Sequence, residues 1–526
     1  MAVEALDLLV VLGATVLVGT TLGGRYRVAP PVLLIALGVL LAFVPLFSEV
    51  LLEPEVVLLL FLPAILYRES ITTSLREIRA NLAAIVLLAV GLVVVTMVTV
   101  AYTARAFGID PAAAWVLGAV LAPTDAAAVA GLAKRMPRRL LTTLRAESLI
   151  NDGTALVLFA VALGLITGHT APGALGFLER LGGAFVGGVA AGLLVGTVVV
   201  LLRKRLDDPL REGALSVLTP FASFLLAELV HASGVLAVLV AGLVLSWASP
   251  RVIGARARIM AFDFWDLSTF LINGGLFVLV GLQIPRAVEG VTSTSLIRAL
   301  LIAVVVAGVV FVTRLAWVHL SALGIWAVRR RTPRREPRPP WRISVVAAWA
   351  GFRGAVSLAA ALAVPLTMPD GGPVHERDLI IFSTALVIVL IMLVQGTTLP
   401  LVVRWAGLMG DAQREDEVRL ARLRATEAAL AALPDVAGRL GVEADLVERL
   451  RTEYQSRLEG MRSGVAEEGQ PMRDQERQLR LAVLEHKRRE VTRLRDRNEI
   501  DDIVLRELQA VLDIEEIRLA GPTVNE

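Results

Sequence analysis

Residues 147–159 read Glu-Ser-Leu-Ile-Asn-Asp-Gly-Thr-Ala-Leu-Val-Leu-Phe, which places two acids and an amide at the start of an apolar run. The run is long enough to enter a lipid bilayer. Ionisable side chains at membrane depth are costly and rare, and they usually mark a path for ions or protons. The stretch therefore predicts a membrane helix that carries a cation site, at which protons compete for the same carboxylates.

The composition places this helix in a polytopic membrane protein. The chain has 526 residues, of which 56% are apolar, whereas an ordinary soluble domain is about 45–50% apolar. The apolar excess ends near residue 408. We therefore expect an all-α transmembrane domain over 1–408 and a charged, helical cytoplasmic domain over 409–526. The absence of cysteine excludes disulfides and thiolate metal sites.

Thirteen segments are candidate membrane helices when they are measured against the roughly 20 residues that a spanning helix needs. Two of them are short and one carries Glu228, so twelve or fourteen spans remain alternatives. The segments are 5–23, 29–46, 54–67, 82–104, 111–132, 144–167, 178–202, 212–230, 233–248, 262–283, 297–325, 343–366 and 378–407.

Basic residues predict the orientation of these spans. With the N-terminus outside, nearly all loop arginines and lysines fall on the cytoplasmic side, and the C-terminus is cytoplasmic too. The first span starts with Glu4 and Asp7 and no basic region, so it is predicted to stay as a membrane helix and not to be a cleaved signal peptide. The basic, proline-rich segment 330–342 is interpreted as a cytoplasmic anchor, with binding of anionic lipid as the alternative.

Two of the predicted spans are interrupted in the same way. Residues 121–130 read Leu-Ala-Pro-Thr-Asp-Ala-Ala-Ala-Val-Ala, and residues 350–359 read Ala-Gly-Phe-Arg-Gly-Ala-Val-Ser-Leu-Ala. Each combines a proline or two glycines with a charge in mid-span. Paired interrupted spans are the best sequence pointer to a transporter site at the bilayer centre. Each is the fifth span of a six-span repeat, and the single span between the two repeats makes them inverted.

The interrupted segments supply the chemistry of a cation site. A break exposes backbone carbonyls, and the carbonyl of Thr124 offers the oxygen ligand that a small hard cation prefers. Asp125 and Asp152 add negative charge, and Ser148 lies four residues before Asp152 on the same helical face. These four residues predict an oxygen-lined pocket for Na⁺ or Li⁺. Asp152 would hold either the cation or a proton, and this mutual exclusion is the simplest device for antiport.

Three further polar residues are predicted to support this pocket. Asn151 is an amide and adds no titratable charge, so one exchanging acid predicts one proton per cation and no net charge moved. Glu147 and Arg353 each need a partner because single buried charges are costly, and the simplest interpretation pairs them with each other as a brace. Arg314 is interpreted as a side chain that reaches the inner membrane surface, and Asn273 is given no role.

These motifs resemble a known family. Glu-Ser-Leu-Ile-Asn-Asp-Gly, Pro-Thr-Asp and Phe-Arg-Gly-Ala-Val-Ser-Leu-Ala are similar to the signatures of the monovalent cation:proton antiporter-1 family of sodium/proton exchangers. The resemblance covers roughly residues 5–408. It implies a fold of thirteen spans with two crossed, broken helices. It also implies a homodimer in which a core domain slides against a dimer-forming domain.

By the same resemblance, the site residues take two kinds of role. The residues that bind the cation and the proton are the essential Asp152 and its co-ligands Asp125, Ser148 and Thr124. The supporting residues are Asn151, which marks an electroneutral branch, and the pair Glu147 and Arg353. One departure is visible, because residues 62–67 read Leu-Pro-Ala-Ile-Leu-Tyr where many relatives carry a double proline and then an acid. No additional acid is therefore assigned near the inner side of the site.

The predicted function is antiport and not catalysis. One monovalent cation, Na⁺ with Li⁺ or K⁺ as further candidates, would be exchanged for H⁺ across the cell membrane by alternating access. No cofactor is expected. The expected partners are membrane lipid, the transported ions and a second copy of the chain, with no nucleic acid. Three alternatives remain open: a K⁺-preferring antiporter, a cation channel, and a sensor that signals through its tail.

Overall fold

Long uninterrupted helices dominate the computed structural model of the chain. The structure describes residues 2–26, 29–45, 47, 56–73, 85, 87–125, 138–166, 174–206, 208–290, 295–329, 340–368, 376–408 and 412–462, with scattered positions elsewhere. The chain divides into two compact units, Met1–Gly410 and Asp411–Glu526. Most of the predicted basic segment 330–342 lies outside the described residues.

The first unit contains helices that follow the predicted spans. The helices of its first half are α1 (Ala2–Tyr26), α2 (Pro30–Ala42), α3 (Leu62–Thr72), α4 (Leu92–Ala106), α5 (Pro111–Val120), α6 (Arg138–Ile166) and α7 (Ala174–Arg203). Those of its second half are α8 (Pro209–Leu229), α9 (Gly234–Val252), α10 (Ala255–Gly290), α11 (Leu296–Arg329), α12 (Trp341–Trp349), α13 (Ala355–Leu362) and α14 (Arg377–Trp405). Short π-helical turns, Val57–Phe61 and Leu87–Gly91, lead into α3 and α4.

These helices identify a multi-pass membrane protein. Within the described residues, eight are long and apolar enough to cross a bilayer, and shorter apolar helices accompany them. A helix bonds its own backbone groups, which is why spanning segments in lipid are helical. The predicted all-α membrane fold is confirmed. Each of the thirteen predicted segments overlaps at least one helix, while the exact number of spans and the repeat symmetry stay predictions.

Small residues set the closest approaches between helices. Gly188, Gly192 and Gly196 lie four residues apart on α7 and face the backbone or side chains of α9. A β-carbon on Gly192 would stand 2.8 Å from the Cβ of Val240, so only glycine admits the present spacing. Membrane helices commonly associate through such rows of small residues, since close backbone contact maximises van der Waals packing.

Both predicted interruptions are present, and they meet. The first helix of the fifth predicted span, α5, ends at Val120, and residues 121–125 are not helical. Residues 350–354 separate α12 from α13 in the same manner. The backbone N–H of Asp125 donates to the carbonyl of Phe352 at 2.8 Å, so the two breaks are joined directly. The continuation of the first broken span, residues 126–137, lies outside the described residues.

The second unit begins with a helical hairpin. Its helices are α15 (Ala412–Leu440) and α16 (Ala444–Arg462). Gly441 has a φ of +64° and ends α15, a conformation that glycine adopts without steric cost. Arg462 Nη2 donates to Glu427 Oε1 at 2.7 Å and ties the two helices together.

Candidate cation site

Helix α6 presents its polar side chains to the two breaks. Glu147 and Ser148 are followed one turn later by Asn151 and Asp152, so helical spacing puts them on one face. All four side chains are buried, none more than 2% exposed. Polar groups removed from water must find partners inside the protein. The breaks, whose backbone groups lack helical partners, supply some of them.

The first break is fastened to α6 through Thr124. Ser148 Oγ donates to the Thr124 carbonyl at 2.7 Å. Asn151 Nδ2 donates to Thr124 Oγ1 at 2.6 Å, and Asn151 Oδ1 accepts from the Thr124 backbone N–H at 3.4 Å. Three bonds therefore hold one residue of the break against one turn of α6. The Asn151 amide oxygen accepts from the exposed Thr124 N–H, and the Ser148 hydroxyl donates to the exposed Thr124 carbonyl. Both side chains are therefore needed to satisfy the backbone of the break.

Arg353 of the second break holds the carbonyls of the first break. Its guanidinium is fully buried, and Nη1 donates to the Ala122 carbonyl at 2.7 Å and to the Pro123 carbonyl. A guanidinium carries five donors in a fixed plane, so it can serve carbonyls that have lost their helical partners. Arg353 thus joins the two interrupted spans.

The predicted pairing of Glu147 with Arg353 is wrong. Glu147 forms its ion pair with Arg314 of α11: Nη1 lies 2.6 Å from Oε1, and Nη2 donates to Oε2 at 3.3 Å. The predicted position of Arg314 at the membrane surface is also wrong, since its side chain is 2% exposed. A β-carbon on Gly351 would overlap the Arg314 side chain, so this glycine admits the arginine. Arg314 and Arg353 are both buried and could each pair with Glu147. The spacing of residues in the sequence does not show which arginine lies beside the glutamate.

A small cavity of about 20 Å³ opens where the breaks meet. The predicted residues Thr124, Asp125 and Asp152 line it. Ser148 is not among the lining residues; its bond to Thr124 places it behind that residue. The Asp125 carboxylate lies so close to Gly354 that a β-carbon there would overlap it. Glycine at this point lets the carboxylate of one break rest against the backbone of the other.

Three polar residues of the cavity wall were not predicted from the sequence: Glu69, Asn273 and Ser357. Glu69 lies one turn after Ile65 on α3, and both line the cavity. Its neighbour Arg68 pairs instead with Asp266 of α10. An acid in the last turn of an apolar helix indicates an ion site, so Glu69 could have been found from the sequence. The preceding residues 62–67 differ from the pattern of many relatives, and no acid was therefore assigned there. Asn273 is a polar residue near the middle of a long apolar helix, which is the kind of position that usually marks an ion path.

The charge of the cavity demands a counter-ion. Three of its lining residues are carboxylic acids, and none is a lysine or an arginine. Like charges at close range and in a low dielectric cannot all stay ionised without compensation. The buried guanidinium of Arg353, next to the lining residue Gly354, can offset one negative charge, and protons or a bound cation must balance the rest. Among the residues that the structure describes, no three His, Cys, Asp or Glu side chains are arranged to hold one metal ion, so any cation needs neutral oxygens as well.

Comparisons with known proteins find relatives that are named as cation/proton exchangers. A Na⁺/H⁺ exchanger of Mycobacterium tuberculosis (strain ATCC 25618 / H37Rv) is 54% identical to the chain, over 99% of this chain and 97% of that protein. A sodium, potassium, lithium and rubidium/H⁺ antiporter of Bacillus pumilus is 30% identical, over 91% of this chain and 72% of that protein.

The fold is also that of a solved antiporter. The sodium proton antiporter MjNhaP1 of Methanocaldococcus jannaschii superposes with a TM-score of 0.60 at 20% identity, over 76% of this chain and 98% of that one. The family described as "Sodium/hydrogen exchanger, transmembrane" matches residues 13–405. The family is one of transporters, and the resemblance stated from the motifs is confirmed. The chain therefore belongs to the sodium/hydrogen exchanger family.

Proposed function

We propose that the chain exchanges one monovalent cation, Na⁺ in the first place, for one H⁺ at Asp152. The observation that carries the proposal is the cavity at the junction of the two breaks, with Asp125 and Asp152 on its wall and no basic side chain there. A fixed negative charge inside the membrane is stable only when it is neutralised. The site therefore crosses the membrane loaded with a cation or a proton, and not empty.

The one-for-one stoichiometry depends on which side chains near Asp152 can exchange a proton and which are held in other interactions. Glu147 is neutralised by Arg314, and Arg353 is bonded to backbone carbonyls. Asn151 bonds Thr124 and has no proton to exchange at physiological pH. Of the two acids of α6, this leaves Asp152 to exchange its proton for the cation, and we assign Asp125 and Glu69, which line the same cavity, to cation binding.

The construction of the site supports a mechanism of alternating access. The cavity lies between segments of α3, α6, α10 and the two breaks, so relative movement of these segments would open it to one side and then the other. We propose that the chain does so as a homodimer in the cell membrane. The N-terminus would be outside and the C-terminal unit cytoplasmic, as the distribution of basic loop residues favours.

The choice of cation extends beyond Na⁺. A relative with 30% identity is named as an antiporter of sodium, potassium, lithium and rubidium. The cavity offers oxygen atoms of carboxylate, hydroxyl, amide and backbone groups, which suit alkali cations in general. We propose Na⁺ and Li⁺ as the preferred cargo, with K⁺ as a second candidate.

Proton flux in everted vesicles tests the proposal. Vesicles that hold the full chain are acidified, and alkalinisation of the lumen is followed after addition of Na⁺, Li⁺ or K⁺. Exchange should saturate with cation, and Asp152→Asn should abolish it at unchanged protein level. Collapsing the membrane voltage with a permeant anion should leave the rate unaltered. Normal exchange by Asp152→Asn would refute the site, voltage-driven flux would refute the stoichiometry, and non-saturating flux without a proton gradient would favour a channel.

A further inference from the structure

Two polar side chains on the wall of the cavity have no role in the exchange scheme described above. Ser357 belongs to the first turn of α13, and Asn273 lies near the middle of α10. Both line the cavity together with Asp125 and Asp152. Ser357 is 1% exposed. Within the part of the chain that the structure describes, neither Ser357 Oγ nor Asn273 Oδ1 has a hydrogen-bond partner, and both atoms are buried.

The hydroxyl of Ser357 forms no bond to its own helix. Buried hydroxyls on spanning helices usually bond the carbonyl three or four residues earlier, as Ser223 does with Thr219 and Thr154 with Ile150. The corresponding residues for Ser357 are Arg353 and Gly354, which lie in the non-helical segment. The Gly354 carbonyl accepts from the Leu358 N–H, and the Ser357 hydroxyl does not bond it. The hydroxyl oxygen is therefore left available to the cavity.

A cation in this cavity needs neutral oxygens in addition to the carboxylates. Its carboxylates are not grouped so that three of them hold one ion, and the Thr124 carbonyl already accepts from Ser148. A cation that leaves water must replace its hydration shell with oxygens of the protein. The amide of Asn273 and the hydroxyl of Ser357 can do this without adding charge, and they come from α10 and α13, which line the cavity together with α3 and α6.

We infer that Asn273 and Ser357 are ligands of the transported cation and set its affinity and its selectivity. The inference rests on the proposed exchange at Asp152 and deepens it. Both groups are neutral, so they bind the cation without taking part in the proton half of the cycle. Their removal leaves a site dominated by carboxylates, whose stronger field favours the smaller cation, so the preference for Li⁺ over Na⁺ rises.

The test compares two substitutions with two matched controls in the full chain. The variants are Ser357→Ala and Asn273→Leu. The controls are Ser383→Ala and Gln395→Leu, which remove buried polar groups of α14 that also lack a partner but do not line the cavity. Each variant should raise the half-maximal Na⁺ concentration by about tenfold, which is the loss of one to two good polar contacts. Maximal exchange at saturating Na⁺ should change by less than about twofold, and the controls should match the parent chain.

The second readout does not depend on transport. Na⁺ that binds the folded protein raises its melting temperature with a concentration midpoint that reports affinity. This midpoint should rise in both variants, while Ser357→Thr, which keeps the hydroxyl, should restore it. Unchanged Na⁺ midpoints in both variants would overturn the inference, as would a loss of maximal rate at constant midpoint. Asp152→Asn is run beside them: if it exchanges normally, the proposed function fails; if it is inert and the midpoints are unchanged, the inference alone fails.

Discussion

Arg314 and Glu147 form a buried, two-pronged ion pair between α11 and α6, with 2.6 Å between Nη1 and Oε1. The same guanidinium donates to the carbonyls of Ala347 and Ala348 near the end of α12, both at 3.2 Å. One side chain therefore connects the helix that carries Asp152 with the helix that leads into the second break. Arg353 is left to hold the first break, so each arginine secures a different half of the site.

Breaking this pair should destabilise the membrane unit strongly. Glu147→Gln leaves the buried Arg314 without its counter-charge, and such uncompensated charges cost about 3–5 kcal/mol. We expect a clear fall in the melting temperature of the purified protein. Arg211→Met is the control, because its contact with Asp208 is solvent-exposed and is worth about 0–1 kcal/mol. Equal melting temperatures for both variants would contradict a structural role for the pair.

Gly354 should tolerate no side chain. A β-carbon there would overlap the Asp125 carboxylate, so Gly354→Ala must displace either the acid or the second break. We expect the half-maximal Na⁺ concentration to rise by about tenfold or more, equivalent to about 1.4 kcal/mol of lost binding. Gly308→Ala on α11 is the control, since nothing lies within 4 Å of its added carbon. Parent-like exchange by Gly354→Ala would show that Asp125 is not held in this position.

Glu69 should assist cation binding without being essential. It lines the cavity from α3, so Glu69→Gln removes one of the charges that attract the cation but leaves Asp152 to exchange. We expect exchange to persist with a half-maximal Na⁺ concentration raised several-fold. Asp266→Asn is the control, because Asp266 pairs with Arg68 and does not line the cavity. Complete loss of exchange in Glu69→Gln would contradict this prediction and show that Glu69 is as essential as we propose for Asp152.

Protons and cations should compete at the site. If one carboxylate takes either guest, each unit by which the pH is lowered, in the range where the empty site is protonated, raises the half-maximal Na⁺ concentration about tenfold by mass action. The apparent affinity therefore weakens as the solution becomes more acidic and levels off in alkaline solution. Exchange kinetics over a series of pH values measure this slope. A half-maximal concentration that is independent of pH would rule out a shared site.

Much of the site follows from local sequence. The run from Glu147 to Asp152 puts four polar groups on one helical face by periodicity alone, and Pro123, Gly351 and Gly354 mark where the helices must break. Unbonded backbone in lipid is tolerated only at a protected site, so the breaks and the acids point to the same place. Thr124, Asp125 and Asp152 are accordingly found on the wall of one cavity.

By itself, the sequence determined the helical membrane fold, the two interruptions and the acids beside them, because hydropathy, helix breakers and periodicity act over a few neighbouring residues. Only the tertiary structure decided which arginine neutralises Glu147 and which oxygens of α3, α10 and α13 complete the cavity. Those choices depend on which helices lie side by side and how closely their backbones approach. Residues far apart in the chain, such as Glu147 and Arg314, meet only through that packing.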